Sequence, residues 1–209
     1  MIKKTEISPW RQARRSSARD AIIEAAWALV QEEGLARFSL RDLARRAGIS
    51  PPTVYAYFDS KNAIYDAMFG AAAAQFADRM AEPYQCTDPR ELLAAAARRF
   101  AEFCTSDLER YQLLFQRCVP GFEPSAQSYA PALRALETTR DLLALNGITD
   151  ARYLDLWTAL TTGLVSQQIS NDPGGDRWTA LIEESVAMFL THCQPASAPP
   201  PARPEGALS

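Results

Sequence analysis

The chain has almost no histidine and no paired cysteines. His192 is the only histidine among 209 residues, and the sequence contains neither a glycine-rich phosphate loop nor a nucleophile elbow. Four cysteines lie far apart and share no spacing typical of a metal cluster or a disulfide framework: Cys86, Cys104, Cys118 and Cys193. These absences argue against an enzyme, a bound metal or another cofactor. They predict cysteines that act as small core hydrophobes in a reducing cytosol.

Long apolar runs are missing as well. The longest apolar stretches, such as Ala71 to Ala74, are far shorter than the roughly 20 residues that a membrane-spanning helix needs. The chain also shows no segment with the pattern of a signal peptide. We therefore expect no membrane partner and a cytoplasmic location.

The segment from Ser39 to Phe58 has the pattern of two short helices joined by a glycine turn. Ser39 can cap the first helix, whose apolar residues follow the i, i+3, i+4, i+7 spacing of one buried face. Gly48 suits the positive φ found just past a helix end, and Ser50 can cap a second helix. Two prolines fit the first turn of that helix because N–H groups there have no intrahelical partner. The pattern predicts a helix-turn-helix, and DNA as its partner.

The outward face of the second helix is small and uncharged. Thr53 can contact a base edge and Pro52 can make apolar contact, while the hydroxyls of Tyr55 and Tyr57 can reach phosphates. Lys61 adds a cation at the start of the next helix, where phosphate is already favoured. The alternative, that the two tyrosines are only packed aromatics, is less favoured because other apolar residues fill the inward positions.

Charge is divided unevenly along the chain. Residues 1–65 hold 11 Lys and Arg against 7 Asp and Glu, whereas the remainder holds 11 against 18. The basic part therefore coincides with the predicted DNA-binding part. In the basic arm ahead of the first helix, Arg15 and Arg19 are the favoured phosphate contacts, with a merely solubilising tail as the alternative.

Three further arginines lie on the first helix of the motif. Arg41 is exposed by the periodicity and can reach a phosphate or a guanine edge. Arg45 and Arg46 are interpreted as ordinary surface charges or as partners of Glu24, Glu32 or Glu33. The complete set of predicted DNA contacts is Arg15, Arg19, Ser39, Arg41, Ser50, Pro52, Thr53, Tyr55, Tyr57 and Lys61.

The run from Phe38 to Lys61 resembles the DNA-binding domain of the TetR family of bacterial transcription regulators. The resemblance lies in R-D-L-A-R-R-A-G-I-S, then T-V-Y-A-Y-F, then S-K, and it extends over roughly Ser17 to Met68. One departure is Pro52, where family members often carry glycine or another small residue. The resemblance implies a homodimer that binds a palindromic operator, usually as a repressor, and is released by a small apolar or amphipathic effector. An effector-independent DNA-architectural protein is the alternative.

Helical periodicity continues beyond Ser60, and no segment alternates strictly enough to be a strand. We predict an all-α fold with an N-terminal three-helix helix-turn-helix domain and a C-terminal helical ligand-binding and dimerisation domain. The expected divisions are a basic flexible arm (1–16), the DNA-binding domain (17–65), the regulatory domain (66–193) and a proline-rich disordered tail (194–209). Five helices are expected after the one that connects the domains.

Aromatic stripes in the regulatory half are by default core, but polar residues beside Trp157 favour a pocket. The predicted effector contacts are Phe100, Phe103, Cys104, Tyr111, Phe115, Trp157, Thr161 and Gln168. Residues 157–163 resemble the Trp-x-x-x-x-His-Gly element of one TetR C-terminal subfamily. Thr162 stands where that element has histidine, so any ligand contact made by the imidazole is absent.

The last two predicted helices, 151–170 and 176–192, are apolar on more than one face. One face can be buried in its own domain and the other against a twofold copy, where the resemblance also implies the dimer interface. Two recognition helices would then lie about 34–36 Å apart, in successive major grooves. The predicted interface residues are Gly163, Gln167, Ser170, Trp178, Leu181, Ser185 and Met188.

Overall fold

A computed structural model of the chain describes residues 9–193, with side chains from Arg15 onward. Over this range the backbone forms α-helices and one 3-10 turn, Thr179–Leu181, and contains no strand, which confirms the all-α prediction. No helix in the described range is both long and apolar enough to cross a bilayer. The helices are α1 (Pro9–Glu33), α2 (Leu40–Arg46), α3 (Pro51–Tyr57), α4 (Lys61–Ala81), α5 (Pro89–Ser106), α6 (Leu108–Phe115), α7 (Ala126–Leu145), α8 (Ala151–Asn171) and α9 (Ile182–Cys193).

Local capping defines the helix-turn-helix. The Ser39 hydroxyl accepts a hydrogen bond from the backbone N–H of Asp42 at 3.2 Å, and the Ser50 hydroxyl accepts one from the N–H of Thr53 at 3.3 Å. Gly48, between the two helices, has a φ of +67°, a conformation that costs glycine little. Ser60 caps α4 in the same way. Because each boundary depends on residues three apart, α2, α3 and the start of α4 begin where the sequence predicts.

The first helix begins earlier than expected. We predict its start near Ser17 after a flexible arm over 1–16, but α1 begins at Pro9. Proline is well suited to the first turn of a helix, and residues 10–16 contain neither glycine nor proline to stop one. The arm prediction is therefore wrong for residues 9–16. Residues 1–8 and the predicted proline-rich tail, 194–209, lie outside the described residues.

Two buried clusters form the core, and α4 contributes to both. One cluster unites α1, α2, α3 and the first half of α4, with Phe38 and Tyr65 in edge-to-face contact at 5.3 Å between ring centroids. The other unites the end of α4 with α5 to α9, where Trp157 and Phe189 meet at 5.1 Å. Full burial of one such side chain stabilises the fold by about 1.5–3 kcal/mol. Helix α4 is thus the mechanical link between the two halves.

Helix α4 crosses α7 at close range. A methyl group on Gly70 would lie 3.1 Å from the Ser128 hydroxyl oxygen and 3.4 Å from the Ser128 Cα, so only glycine fits without displacement. One turn earlier, the Asp66 carboxylate accepts hydrogen bonds from the Ser125 N–H (2.6 Å), the Ser125 hydroxyl (2.9 Å) and the Ser128 hydroxyl (2.8 Å). An acidic side chain on α4 therefore holds the N-terminus of α7.

The final helix is shorter than predicted. Residues 176–178 form a loop and Thr179–Leu181 a 3-10 turn, so α9 begins only at Ile182. Gln168 holds the segment before α9: its side-chain oxygen accepts hydrogen bonds from the backbone N–H groups of Trp178 (2.8 Å) and Thr179 (3.2 Å). Those groups are held by a side chain of α8 rather than by an α-helical turn of their own.

Only one cysteine behaves as the sequence predicts. Cys104 is fully buried, whereas Cys118 is exposed and both Cys86 and Cys193 are half-buried. Burial raises the pKa of the Cys104 thiol, which keeps it neutral. The expectation of four core hydrophobes is wrong for the other three. From Arg15 to Cys193, no group of three or more His, Cys, Asp or Glu side chains is arranged to hold a metal ion.

Candidate nucleic-acid interface and ligand cavity

Helix α3 presents a small face to solvent. Val54 and Phe58 are buried beneath it, at 0% and 2% exposure, as the spacing predicts. On the opposite side Pro52 and Tyr55 are exposed, whereas Thr53 is half-buried. A helix whose outer face has short side chains can approach base edges closely, because a major groove is only just wide enough for one helix.

The side chain of Thr53 is held in place by its own helix cap. Its hydroxyl lies 2.8 Å from that of Ser50, whose oxygen also accepts the Thr53 backbone N–H. The orientation of Thr53 is thus defined before any contact with DNA, which lowers the entropy that binding would lose. Ser39 is similarly engaged, since its hydroxyl donates to the Asp42 carboxylate while accepting the Asp42 N–H.

Arg15 and Arg19 lie against the C-terminal end of α3. The Arg15 guanidinium donates to the backbone oxygen of Ala56 at 3.4 Å and lies 6.0 Å from the centroid of the Tyr57 ring. The Arg19 guanidinium lies 4.6 Å above the Phe58 ring. Since a guanidinium has five N–H donors, each arginine keeps donors for a phosphate. These cations are carried by α1 rather than by a free arm.

The remaining cations of this surface differ in how freely they can bind. Arg41 is exposed. Arg46 pairs with Glu32, one of the glutamates proposed from the sequence, and this hydrogen bond lowers the pKa of the Glu32 carboxyl. Arg45 pairs instead with Asp42 at 2.6 Å. Both exposed pairs contribute little to stability but occupy their guanidinium groups.

Lys61 is placed by aromatic rings. Its ammonium nitrogen lies 4.8 Å from the centroid of Phe38 and 5.4 Å from that of Tyr65. Partial burial lowers the pKa of Lys61 because the charged form loses hydration. The cation is therefore held at the N-terminus of α4 by contacts that the sequence did not indicate.

A cavity of about 230 Å³ lies between α4, α5, α6, α7 and α8. Four of the predicted effector contacts line it: Phe100, Phe115, Trp157 and Thr161. Thr162, which replaces the subfamily histidine, lines it too. Sequence reasoning missed the contributions of Phe76 on α4 and Thr139 on α7, because neither helix had been connected with the pocket.

The other four predicted effector contacts lie elsewhere. Phe103 packs on Phe76, away from the cavity wall, at 5.1 Å between ring centroids. Cys104 is fully buried, and Tyr111 is 1% exposed with its hydroxyl oxygen accepting a hydrogen bond from Gln116 at 3.4 Å. Gln168 is 2% exposed and holds the loop before α9. All four point inward, as expected, but into packed core or a loop instead of a cavity.

A second, larger cavity of about 520 Å³ lies between α4, α6 and the loop that leads into α7. Its walls include Phe69 and Phe122, and it shares three lining residues with the first cavity: Leu114, Phe115 and Tyr129. The sequence predicts that residues 119–124 form a loop between helices. It contains no signal that this loop would form the wall of a cavity.

One face of α8 and α9 lacks a partner in the described chain. Gly163, Gln167 and Ser170 are exposed on α8, and Met188 is 61% exposed on α9. Leu181 is 39% exposed in the 3-10 turn. Trp178 and Ser185 are only half-buried, and Trp178 lies ahead of α9 rather than on it, contrary to the sequence prediction.

Comparison with known proteins identifies a family and a relative that match part of the chain. Residues 22–68 match the family described as bacterial regulatory proteins, tetR family. The chain is 28% identical over 103 residues to the HTH-type transcriptional activator FasR of Mycolicibacterium smegmatis (strain ATCC 700084 / mc(2)155). That match covers 49% of this chain and 47% of FasR, so it spans about half the length of that relative.

Solved structures share the fold over most of the chain. The regulatory protein SCO4313 superposes with a TM-score of 0.72 at 22% identity, covering 86% of this chain and 98% of that one. FadR from Bacillus subtilis, solved in complex with stearoyl-CoA, has a TM-score of 0.61 at 19% identity, covering 82% and 97%. At these identities the likeness establishes the fold alone.

Proposed function

The chain belongs to the TetR family of bacterial transcriptional regulators, and on that premise we propose that it binds a palindromic operator as a homodimer. In this proposal it represses transcription at that operator and is released from it by a small-molecule effector. The observation that carries the DNA-binding part is the outer face of α3. Pro52 and Ala56 are exposed there beside the half-buried Thr53, and the cations Arg15, Arg19 and Lys61 lie near the C-terminal end of α3 and the start of α4.

The surface divides into groups that read bases and groups that bind phosphates. Thr53 and Pro52 contact base edges in the major groove, with the threonine methyl suited to thymine. Arg41, Lys61 and Arg15 contact phosphates on either side and fix the register of α3. The phosphate contacts make affinity depend strongly on salt, whereas the base contacts determine which operator is preferred.

Exposure on α8 and α9 supports the dimer. Three large apolar side chains remain 39–61% exposed on this face: Leu156, Leu181 and Met188. Gly163 is exposed on α8 between Leu156 and Gln167. A twofold axis through that face would bury the same residues of both copies. It would also place two copies of α3 about one turn of DNA apart, which a palindrome requires.

Helix α4 supports the coupling between effector and DNA. It begins at Lys61 beside the DNA surface, and further along it Phe76 lines the 230 Å³ cavity. In this proposal the protein has two conformations that differ in the position of α4. A ligand that binds one conformation more tightly shifts the population toward it and so changes the distance between the two recognition helices. Release from DNA requires this difference in affinity between the two states. FadR, which holds stearoyl-CoA, is a relative in fold with a bound small molecule.

The test is selection of bound sequences from random DNA with the purified full chain. We expect one inverted repeat, with half-sites about one helical turn apart, preferred over random sequence by a factor of about 10³ or more. Enrichment of no sequence would favour the architectural alternative, and enrichment of a single non-repeated site would refute the dimer. A reporter gene behind the selected operator then determines the sign of regulation, because FasR carries the name of an activator.

A further inference from the structure

The 230 Å³ cavity has walls of aromatic rings and threonine hydroxyls, and none of its lining residues carries a charge. Phe76 lines it, and the rings of Phe100 and Phe115 lie at steep angles to that of Phe76, at 6.0 and 5.3 Å between centroids. Aromatic pairs favour such edge-to-face arrangements, so the wall suits one more ring. A carboxylate or phosphate placed here would lose its hydration and find no opposite charge.

Three of the four threonine hydroxyls of the wall, those of Thr139, Thr158 and Thr161, have already committed their protons. Each donates to a backbone carbonyl of its own helix, a bond that threonine commonly makes within helices. The three bonds join Thr139 to Ala135 (3.1 Å), Thr158 to Asp155 (2.9 Å) and Thr161 to Trp157 (3.0 Å). Because a hydroxyl oxygen keeps its lone pairs when it donates, these side chains present acceptors to the cavity. A ligand that matches them must bring the donor.

The volume limits the size of the ligand. An apolar protein cavity of about 150 Å³ is known to hold benzene. A cavity of about 230 Å³ therefore accommodates one aromatic ring with several further non-hydrogen atoms. A long acyl chain with a charged head group exceeds this space.

On the basis of the proposed function, we propose that the effector is a neutral single-ring aromatic molecule that carries an O–H or N–H donor, as a phenol does. Its ring lies against Phe100 and Phe115, and its donor bonds to the hydroxyl oxygen of Thr161. Neutrality, ring and donor each follow from a separate property of the wall: the absence of charge, the aromatic lining and the three threonines whose protons are already committed to their own helices.

Calorimetric titration of the full chain with three compounds of the same ring tests this inference. The compounds are p-cresol, which is neutral with a donor, 4-methylanisole, which is neutral without one, and p-toluate, which is an anion. We expect p-cresol to bind about 2- to 10-fold more tightly than 4-methylanisole, as one neutral hydrogen bond predicts. p-Toluate should bind more weakly than both. Equal binding of the two neutral compounds, tighter binding of p-toluate, or binding of none would overturn the inference.

Thr161→Val removes the acceptor while keeping the shape of the side chain. In this variant the preference for p-cresol over 4-methylanisole should fall to about onefold, while the affinity for 4-methylanisole should stay the same or improve. Thr191→Val is the matched control, since Thr191 makes the same own-helix bond to Ala187 at 2.8 Å but is exposed on α9. In Thr191→Val the preference for p-cresol over 4-methylanisole should equal that of the parent chain. A loss of this preference in the control would also contradict the assignment of Thr161 as the acceptor.

These titrations contain no DNA, so their outcome is separate from that of the operator selection. A chain that selects a palindrome but binds none of the three compounds would retain the DNA-binding proposal and refute the ligand class. A chain that binds p-cresol through Thr161 but selects no DNA would do the reverse.

Discussion

Asp66 on α4 accepts hydrogen bonds from both the backbone N–H and the hydroxyl of Ser125, at 2.6 and 2.9 Å. The two residues are 59 positions apart, yet the carboxylate binds the residue that caps α7, since the Ser125 hydroxyl accepts the backbone N–H of Ser128. Negative charge at a helix N-terminus is favoured by the helix dipole. The contact joins the helix that begins at the proposed DNA surface to a helix that lines the 230 Å³ cavity.

Replacing this carboxylate should weaken the fold. Asp66→Ala removes three hydrogen bonds and leaves the Ser125 N–H without its acceptor, so we expect a loss of about 1–2 kcal/mol in the free energy of unfolding. Urea denaturation measures it. Asp78→Ala is the control, because Asp78 is an exposed aspartate of the same helix, and it should change stability by less than about 0.5 kcal/mol. Equal effects of the two variants would show that the contact with Ser125 contributes nothing.

Thr53→Ala should change which operator is preferred. The variant loses a methyl group and a hydroxyl on the outer face of α3 while Ser50 still caps the helix. We expect discrimination at one base pair of each half-site, about 1–3 kcal/mol, to be lost in large part while other positions keep theirs. Selection from random DNA with the variant reveals the position. A uniform loss at every position would mean that Thr53 places α3 rather than reads bases.

Lys61→Met should act in the opposite way. Methionine keeps an unbranched stem beside Phe38 and removes the charge. Affinity should fall for all DNA sequences, and the slope of log affinity against log salt should decrease in magnitude by about 1 per protomer. Arg90→Met, at an exposed position at the start of α5, is the control and should leave the slope unchanged. A sequence-specific effect of Lys61→Met would refute its role as a phosphate contact.

Tyr65 should make stability depend on pH in alkali. Its hydroxyl donates to the backbone oxygen of Leu35, and burial raises the pKa of Tyr65 to about 12. An unfolded tyrosine ionises near its model value of 10.0, so the unfolded state releases its proton first. The contribution is complete below pH 10 and is lost as pH rises toward 12.

Comparison of Tyr65→Phe with the parent chain isolates this effect. The variant should be less stable at pH 7 by about 1–2 kcal/mol, because the Leu35 carbonyl loses its donor. The difference between the two chains should shrink between pH 10 and 12, as followed by urea denaturation at each pH. A constant difference over that range would contradict the raised pKa.

Met188→Asp should separate the proposed dimer. Placing two carboxylates at a twofold contact adds charge repulsion and desolvation, so light scattering should show a monomer where the parent chain is a dimer. Leu145→Asp is matched in exposure, 59% against 61%, but lies at the end of α7 away from the proposed face. It should remain dimeric. A parent chain that is monomeric while bound to its operator would refute the interface.

Local chemistry made the helix-turn-helix predictable. Ser39 and Ser50 act on N–H groups three residues later, and Gly48 adopts its positive φ within one turn, so no distant contact is needed. The start of α1 was not predictable in this way, because a basic segment can form either a flexible arm or the first turns of a helix. Residues 9–16 of this segment are helical. Arg15 and Arg19 on the same helix contact the end of α3, and those contacts are not visible in the sequence.

Periodicity determined which side chains of the regulatory half face inward. It was correct both for Phe115, which lines the cavity, and for Cys104, which lies in packed core. Whether an inward residue meets packed core or empty space depends on how five helices pack together, which no single-helix pattern contains. The same applies to Gln168, whose amide holds a loop ten residues away, and to Asp66, whose partners lie 59 and 62 residues on. The sequence alone therefore determined the helix-turn-helix, its caps and the face of α3 that we propose to read DNA, because those depend on neighbours a turn away. The cavity, the gathering of Thr139, Thr158 and Thr161 in its wall and the junction of α4 with α7 were decided by tertiary packing, because they depend on residues that only the fold brings together.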